Sequence, residues 1–175
     1  HIEFSPRSKI EYELKDWLKS FLKLDRVSCE RIISGEGLSN ISRWRLSQSD
    51  VISHPFQKLL KEANNSNLRR KSLPSKICEM SNKGDPLMIE IERIWLDAYA
   101  SFIGDIAIHE LCYGGLWIAG GTAPKHLKYF NSNYFLKHFS NKGRLKDVIN
   151  SIPVNVILDE EFGLHSAACR AAMTL

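Results

Sequence analysis

Apolar residues recur at two different periods along this chain, and each change of period marks an element. Ile2 and Phe4 alternate with His1 and Glu3, the pattern of a half-buried strand that Pro6 ends. Ile10, Leu14, Trp17, Leu18, Phe21 and Leu22 then recur at spacings of three and four. That stripe predicts a helix packed on a core, capped by Ser8 with Glu11 three residues on as a capping box. Residues 27–34 predict a short helix through Ile33 with Ser28 as its cap. Gly35 and Gly37 are expected to break the chain before a second helix over about 38–45. The pattern is weakest over 47–84, where His54-Pro55 and the polar run from Asn64 to Asn67 mark loops. Helices are expected there over 56–63 and 75–82.

Asp85-Pro86 pairs an N-cap residue with proline at the first helical position and opens the longest helix, to about residue 112. Leu87, Ile91, Ile94, Trp95, Ala98, Tyr99, Phe102, Ile106 and Ala107 give it a wide apolar face. It is expected to be central and heavily buried, about 40 Å long at the usual rise per residue. His109 suits the helix end through the dipole. Next comes Gly114-Gly115-Leu116-Trp117-Ile118-Ala119-Gly120-Gly121-Thr122-Ala123-Pro124. Leu116 to Ala119 reads as a buried strand, Gly120-Gly121 as a sharp turn, Thr122 as a cap and Pro124 as an early helix residue. Free N–H groups and a helix dipole beside those glycines suit an anion or nucleotide. A Gly-Gly between strand and helix is more often only tight packing, and the stretch is neither G-x-G-x-x-G nor a P-loop. Helices follow over 124–130, 135–138 and 145–149, with a loop at 141–144. Residues 153–158 predict a second buried strand. A final helix begins near Gly163, and its Ala167, Ala168, Ala171 and Ala172 favour close packing. Strands alternating with helices give a helix-rich α/β fold with a long central helix.

Composition changes this picture little. A length of 175 residues suits one domain or part of a larger one. The net charge of +4 is too mild to require a polyanionic partner, and Arg69-Arg70-Lys71 reads as a solvated loop rather than a nucleic-acid face. No apolar run approaches the length of a membrane span, and no signal peptide opens the chain. Cys29, Cys78, Cys112 and Cys169 form no C-x-x-C, which predicts reduced cytosolic thiols rather than disulfides or zinc. The chain opens at His1, inside a strand-like pattern and without Met, which predicts the C-terminal portion of something longer.

Four segments share a family resemblance. His1-Ile2-Glu3-Phe4-Ser5-Pro6 resembles the end of a Glu-Gly-Gly-His segment and the strand after it. Ser28-Cys29-Glu30-Arg31-Ile32-Ile33-Ser34-Gly35-Glu36-Gly37-Leu38 resembles Ser-x-Glu-Arg-x-x-Ser-Gly-x-Gly-Leu. Gly114 to Pro124 resembles Gly-Gly-x-x-Ile-Ala-Gly-Gly-Ile-x-Pro. Asn141-Lys142-Gly143-Arg144 and Ile152-Pro153-Val154 resemble Asp-Lys-Gly-Arg and Ile-Pro-Val. Each is modest alone, but in this order they resemble the C-terminal half of a bacterial-type glucokinase, of the hexokinase and actin-like ATPase superfamily.

The resemblance implies part of a ribonuclease H-like fold. It implies transfer of the ATP γ-phosphoryl group to the 6-hydroxyl of glucose by a cytoplasmic parent enzyme, with Mg²⁺ held mainly through the nucleotide. Residues 1–175 would be the large-domain portion plus terminal helix of a two-lobe kinase, with the N-terminal lobe absent. His1 and Glu30 fall on the family's sugar-binding histidine and glutamate. Gly120, Gly121 and Thr122 fall on the segment lying against the adenosine. The family's catalytic aspartate and phosphate loops lie upstream of the histidine motif. No catalytic residue or metal ligand is therefore expected here, and the chain alone should be inactive. His165-Ser166 departs from a more usual Leu-Gly pair. The expected partners are glucose and ATP, without nucleic acid or membrane, and a homodimer stays open. The alternative is a non-catalytic module that binds a sugar or a partner protein.

Overall fold

The computed structural model of the chain describes residues 2–64, 66–159 and 161–173, leaving aside the side chains of Asn67, Arg69 and Arg70. Two compact units divide at Tyr99 and Ala100.

The first unit is helical. Residues 2–4 make one antiparallel bridge, Glu3 to Ser28, rather than a strand. Phe4 N–H donates to the Val27 carbonyl at 2.8 Å and Cys29 N–H to the Ile2 carbonyl at 2.9 Å. Proline at position 6 has no N–H with which to prolong the ladder. Helix α1, Lys9–Leu22, is capped by Ser8, whose Oγ accepts from Glu11 N–H at 3.3 Å. The capping box closes one residue early, because the Glu11 carboxylate accepts from Arg7 N–H at 2.6 Å. Leu14 and Leu18 are fully buried, but Ile10 and Phe21 are half exposed. The expected six-residue stripe is thus buried along one edge only.

Helix α2, Glu30–Ile33, begins after Cys29 with no side-chain cap, so Ser28 serves the bridge instead. Helix α3, Gly35–Leu46, corrects the expected break: both glycines lie in its first turn. Ser34 caps it, its Oγ accepting from Gly37 N–H at 3.1 Å. Gly37 is there for closeness, since a Cβ at that position would sit 2.1 Å from the Ile32 carbonyl oxygen. Helix α4 is Phe56–Ala63, as the pattern predicts.

Helix α5, Asn67–Asn82, starts well before the expected residue 75 and continues through Pro74. Arg69 to Lys71 therefore lie on a helix and not in a loop. Proline forfeits one helical hydrogen bond, but Leu73, Ile77 and Cys78 around it are buried. That packing carries the helix across the breaker. Helix α6, Pro86–Glu110, is the 25-residue element and runs from the first unit into the second. Asp85 Oδ1 accepts from Leu87 N–H at 3.1 Å and Met88 N–H at 3.0 Å. Ile91, Ile94, Trp95, Ala98 and Ala107 are buried as the periodicity requires. Met88, Leu96, Ala100 and Ile103 are buried too, so the apolar face is wider than one stripe. The helix ends where Leu111 turns into the left-handed region at φ 45°.

In the second unit, β1, Leu116–Ile118, pairs in parallel with β2, Val154–Val156, with Trp117 opposite Asn155. Parallel strands need a long crossover, and helices supply it: a 3₁₀ turn Pro124–His126, α7 Leu127–Phe130, α8 Asn133–Phe139, a 3₁₀ turn Gly143–Leu145 and α9 Lys146–Asn150. Phe135 sits between Phe130 and Phe139, with ring centroids 5.1 and 5.8 Å away. Lys142 Nζ donates to the Ser101 carbonyl at 2.9 Å and pairs with Asp105, tying the 141–144 segment to α6. Two expectations fail here. The strands are only partly buried, with Trp117 64% exposed. Helix α10, Phe162–Ala172, buries none of its residues. Alanine methyls offer little apolar area, and no described residue of this unit buries them.

Candidate functional site

Glu30 lies at the first position of α2, on the wall of a cavity of about 640 Å³ in the first unit. Among the described residues its lining is polar at Asp25, Arg26, Ser28, Glu30, Arg31, Ser34 and Glu36 and aliphatic at Leu24. Short backbone elements build it. Helix α1 ends as Lys23 turns into the left-handed region, and its N–H caps the Ser20 carbonyl. The chain then returns past Asp25 and Arg26 to the bridge at Ser28. One helical turn delivers Glu30 and Arg31, and the cap of α3 delivers Ser34 and Glu36. The lining residues carry three carboxylates, two guanidiniums and two hydroxyls. Such a set suits a small neutral molecule rich in hydroxyls, because carboxylates accept and arginines donate in fixed directions. Its volume falls within the usual small-ligand range of roughly 300–1,000 Å³. Glu3, in the bridge itself, is held below the usual carboxylate range by its hydrogen bond from Lys15 Nζ, which measures 2.9 Å.

His1, the other expected sugar residue, lies outside the described residues. Sequence reasoning missed Asp25, Arg26, Arg31, Ser34 and Glu36 as lining groups. The run of charge at Asp25-Arg26, immediately after a helix end, was the available signal.

The glycine turn lies in the second unit. Gly120 adopts φ +105°, which requires glycine, and a Cβ at Gly120 or Gly121 would meet nothing within 4 Å. A flat ring therefore has room against this backbone. Thr122 is not a side-chain cap: Ala123 precedes the 3₁₀ turn, which has no capping side chain. Thr122 acts through its carbonyl, which accepts from His126 Nδ1 at 2.9 Å. The expected helix start is a three-residue 3₁₀ turn followed by a four-residue helix, too short for a sizeable macrodipole. Open glycine backbone, not dipole, is what this turn offers a ligand. A second cavity of about 720 Å³ lies between α7–α9 and β2, including Phe130, Phe139, Ile149 and Asn155. Among the described residues its lining carries no charge and does not include the glycine turn.

The four cysteines form no disulfide with one another, Cys29 and Cys78 being buried and Cys169 exposed. Among the described residues no helix is long and apolar enough to cross a membrane.

Comparison with known proteins meets this geometry from outside. The glucokinase family model matches residues 1–174. The chain is 34% identical to a glucokinase of a Synechocystis species over 179 residues, covering 99% of this chain and 50% of that protein. It is 29% identical to a glucokinase of Salmonella arizonae over 178 residues, covering 100% of this chain and 49% of that one. It thus spans about half the length of the curated relatives it matches. A crystal structure of a glucokinase from an Antarctic psychrotroph superimposes with a TM-score of 0.69 at 21% identity, covering 97% of this chain and 48% of the other, which places the helix-rich α/β fold. The chain belongs to the glucokinase family.

Proposed function

We propose that this chain is the C-terminal, large-domain portion of a two-lobe cytoplasmic kinase of actin-like ATPase fold. That kinase transfers the ATP γ-phosphoryl group to the 6-hydroxyl of glucose. The chain supplies part of the sugar site through Glu30 and His1, and the adenosine wall through Gly120, Gly121 and Thr122. Mg²⁺ enters with the nucleotide, held mainly through its phosphates. The base that accepts the hydroxyl proton and the phosphate loops belong to the other lobe, so this chain alone binds without catalysing.

The observation that carries the reading is the polar cavity with Glu30 on its wall. A carboxylate there can accept from two adjacent sugar hydroxyls, and hydrogen bonds to a charged group are about twice as strong as neutral ones. The test is a coupled assay of glucose-dependent ADP formation, run on the two-lobe protein and on this chain in parallel. Glu30→Ala in the two-lobe protein should lower kcat/KM for glucose about 100-fold, the cost of two charged hydrogen bonds. Failure of the folded two-lobe protein to phosphorylate any common hexose would overturn the reading.

A further inference from the structure

Glu30 stands on a helix of four residues, too short to hold itself in water. Something else must fix where its carboxylate points. The carbonyls of this turn are engaged by groups from α3 and its cap. Ser34 Oγ donates to the Glu30 carbonyl at 2.7 Å. Asn40 Nδ2 donates to the Arg31 carbonyl at 3.0 Å. Trp95 Nε1 donates to the Ser34 carbonyl at 3.3 Å, fixing the junction between α2 and α3 from α6. Gly37 brings α3 against the Ile32 carbonyl without a Cβ between them.

Asn40 differs from the others in its reach. It is 1% exposed, on a helix that buries Ser39 and Ser42 as well as Leu38, Ile41 and Trp44. Its Oδ1 accepts from Arg43 Nη1 at 3.2 Å, and the same Nη1 lies 3.3 Å from Glu36 Oε1. Glu36 and Glu30 both line the polar cavity. One buried amide therefore touches both carboxylate-bearing turns, the first through a backbone carbonyl and the second through Arg43. A buried amide is retained only where its hydrogen bonds are made.

We infer that Asn40 is the positioning residue of this cavity, setting Glu30 and Glu36 in register with each other for a hydroxylated ligand. The inference rests on the proposed sugar role of Glu30. It needs no contact between Asn40 and the ligand.

The discriminating variant is Asn40→Asp in the two-lobe protein. Aspartate has the same shape and keeps an oxygen for Arg43, but it presents an acceptor to the Arg31 carbonyl where the amide donates. The glucose KM should rise about tenfold, the usual consequence of a lost buried hydrogen bond. The ATP KM should change less than about twofold, which a loss of fold alone would not produce. In a Glu30→Gln background the same substitution should add less than about twofold, because residues acting through one group are non-additive. Additive effects, or a glucose KM unchanged by Asn40→Asp while Glu30→Gln raises it, overturn the positioning role. A glucose KM unchanged by Glu30→Gln itself overturns the sugar reading beneath it. If Asn40→Asp does not accumulate as folded protein, Asn40→Ser with glucose binding measured by calorimetry decides. Weakened glucose binding with the nucleotide dissociation constant intact supports the role, and unchanged glucose binding rejects it.

Discussion

Single residues fix the cavity by what they omit as much as by what they carry. Gly37 is the clearest case: an added methyl would overlap a backbone carbonyl at 2.1 Å, and backbone on both sides cannot yield. Gly37→Ala should therefore destabilise by about 2–3 kcal/mol, the scale of an overpacked core. Gly163→Ala is the matched control, on an exposed helix where a Cβ meets nothing within 4 Å. It should be neutral or stabilising by roughly 0.5–1 kcal/mol through helix propensity. Urea unfolding of the two variants tests the pair, and equal stability would refute the close approach of α2 and α3. Glu30 was legible in the sequence because the motif around it spans eleven residues from Ser28 to Leu38. Asn40 was not, because a polar residue within a helix names no partner until the opposing carbonyl is placed.

Helices here are set by their ends, and the ends were legible at Ser8 and Asp85 but not at Ser34, which caps α3 just before two glycines that read as a break. Ser8, Asp85 and their helix starts follow from local chemistry that the sequence displays. Asp85 does more than cap, since its second oxygen lies 3.0 Å from His54 Nε2. His54 Nδ1 in turn accepts from Phe56 N–H at 3.2 Å, so one carboxylate serves the starts of α6 and α4 together. Asp85→Ala should cost about 1–2 kcal/mol, and Asp85→Asn should recover most of it, measured by thermal unfolding. Helix α5 was misread because its stability lies in packing around Pro74, which local propensity does not record. Its surface offers a pH test. Lys76 and Lys83 both hydrogen-bond Glu79 at 2.7 Å and hold its carboxyl down at about 2, against an ordinary value of 4.5. A depressed folded pKa means stability present above 4.5 and lost as pH falls toward 2. Glu79→Gln should lower the thermal midpoint at neutral pH, with the gap closing below about pH 4.5 and shrinking in 1 M salt as exposed pairs are screened. A gap that stays constant from pH 7 to 2 would rule out this pair as its source.

At the scale of the molecule, burial is unevenly spread, and that gradient predicts dynamics. Helix α3 has eight of its twelve residues buried, while α10 has none among eleven. Between these extremes lie β1 and β2, three residues each in a two-stranded parallel sheet. A two-stranded pair is marginal without a covering layer, and an isolated helix of this length is marginal in water. The alternation of strand and helix was readable from the sequence because period and glycine punctuation are local. The exposure of Trp117 and of the α10 alanines was not, because burial depends on what faces an element rather than on its composition. Amide exchange opens locally with a free energy that follows buried area and hydrogen bonding. In this chain alone, α10 amides should exchange within about tenfold of their unprotected rates, β1 and β2 amides more slowly, and the α3 core amides around Ile41 slowest of all. Hydrogen–deuterium exchange read by mass spectrometry gives this order directly. Protection of α10 equal to that of α3 would mean that α10 is covered in solution, and the exposure gradient would be wrong.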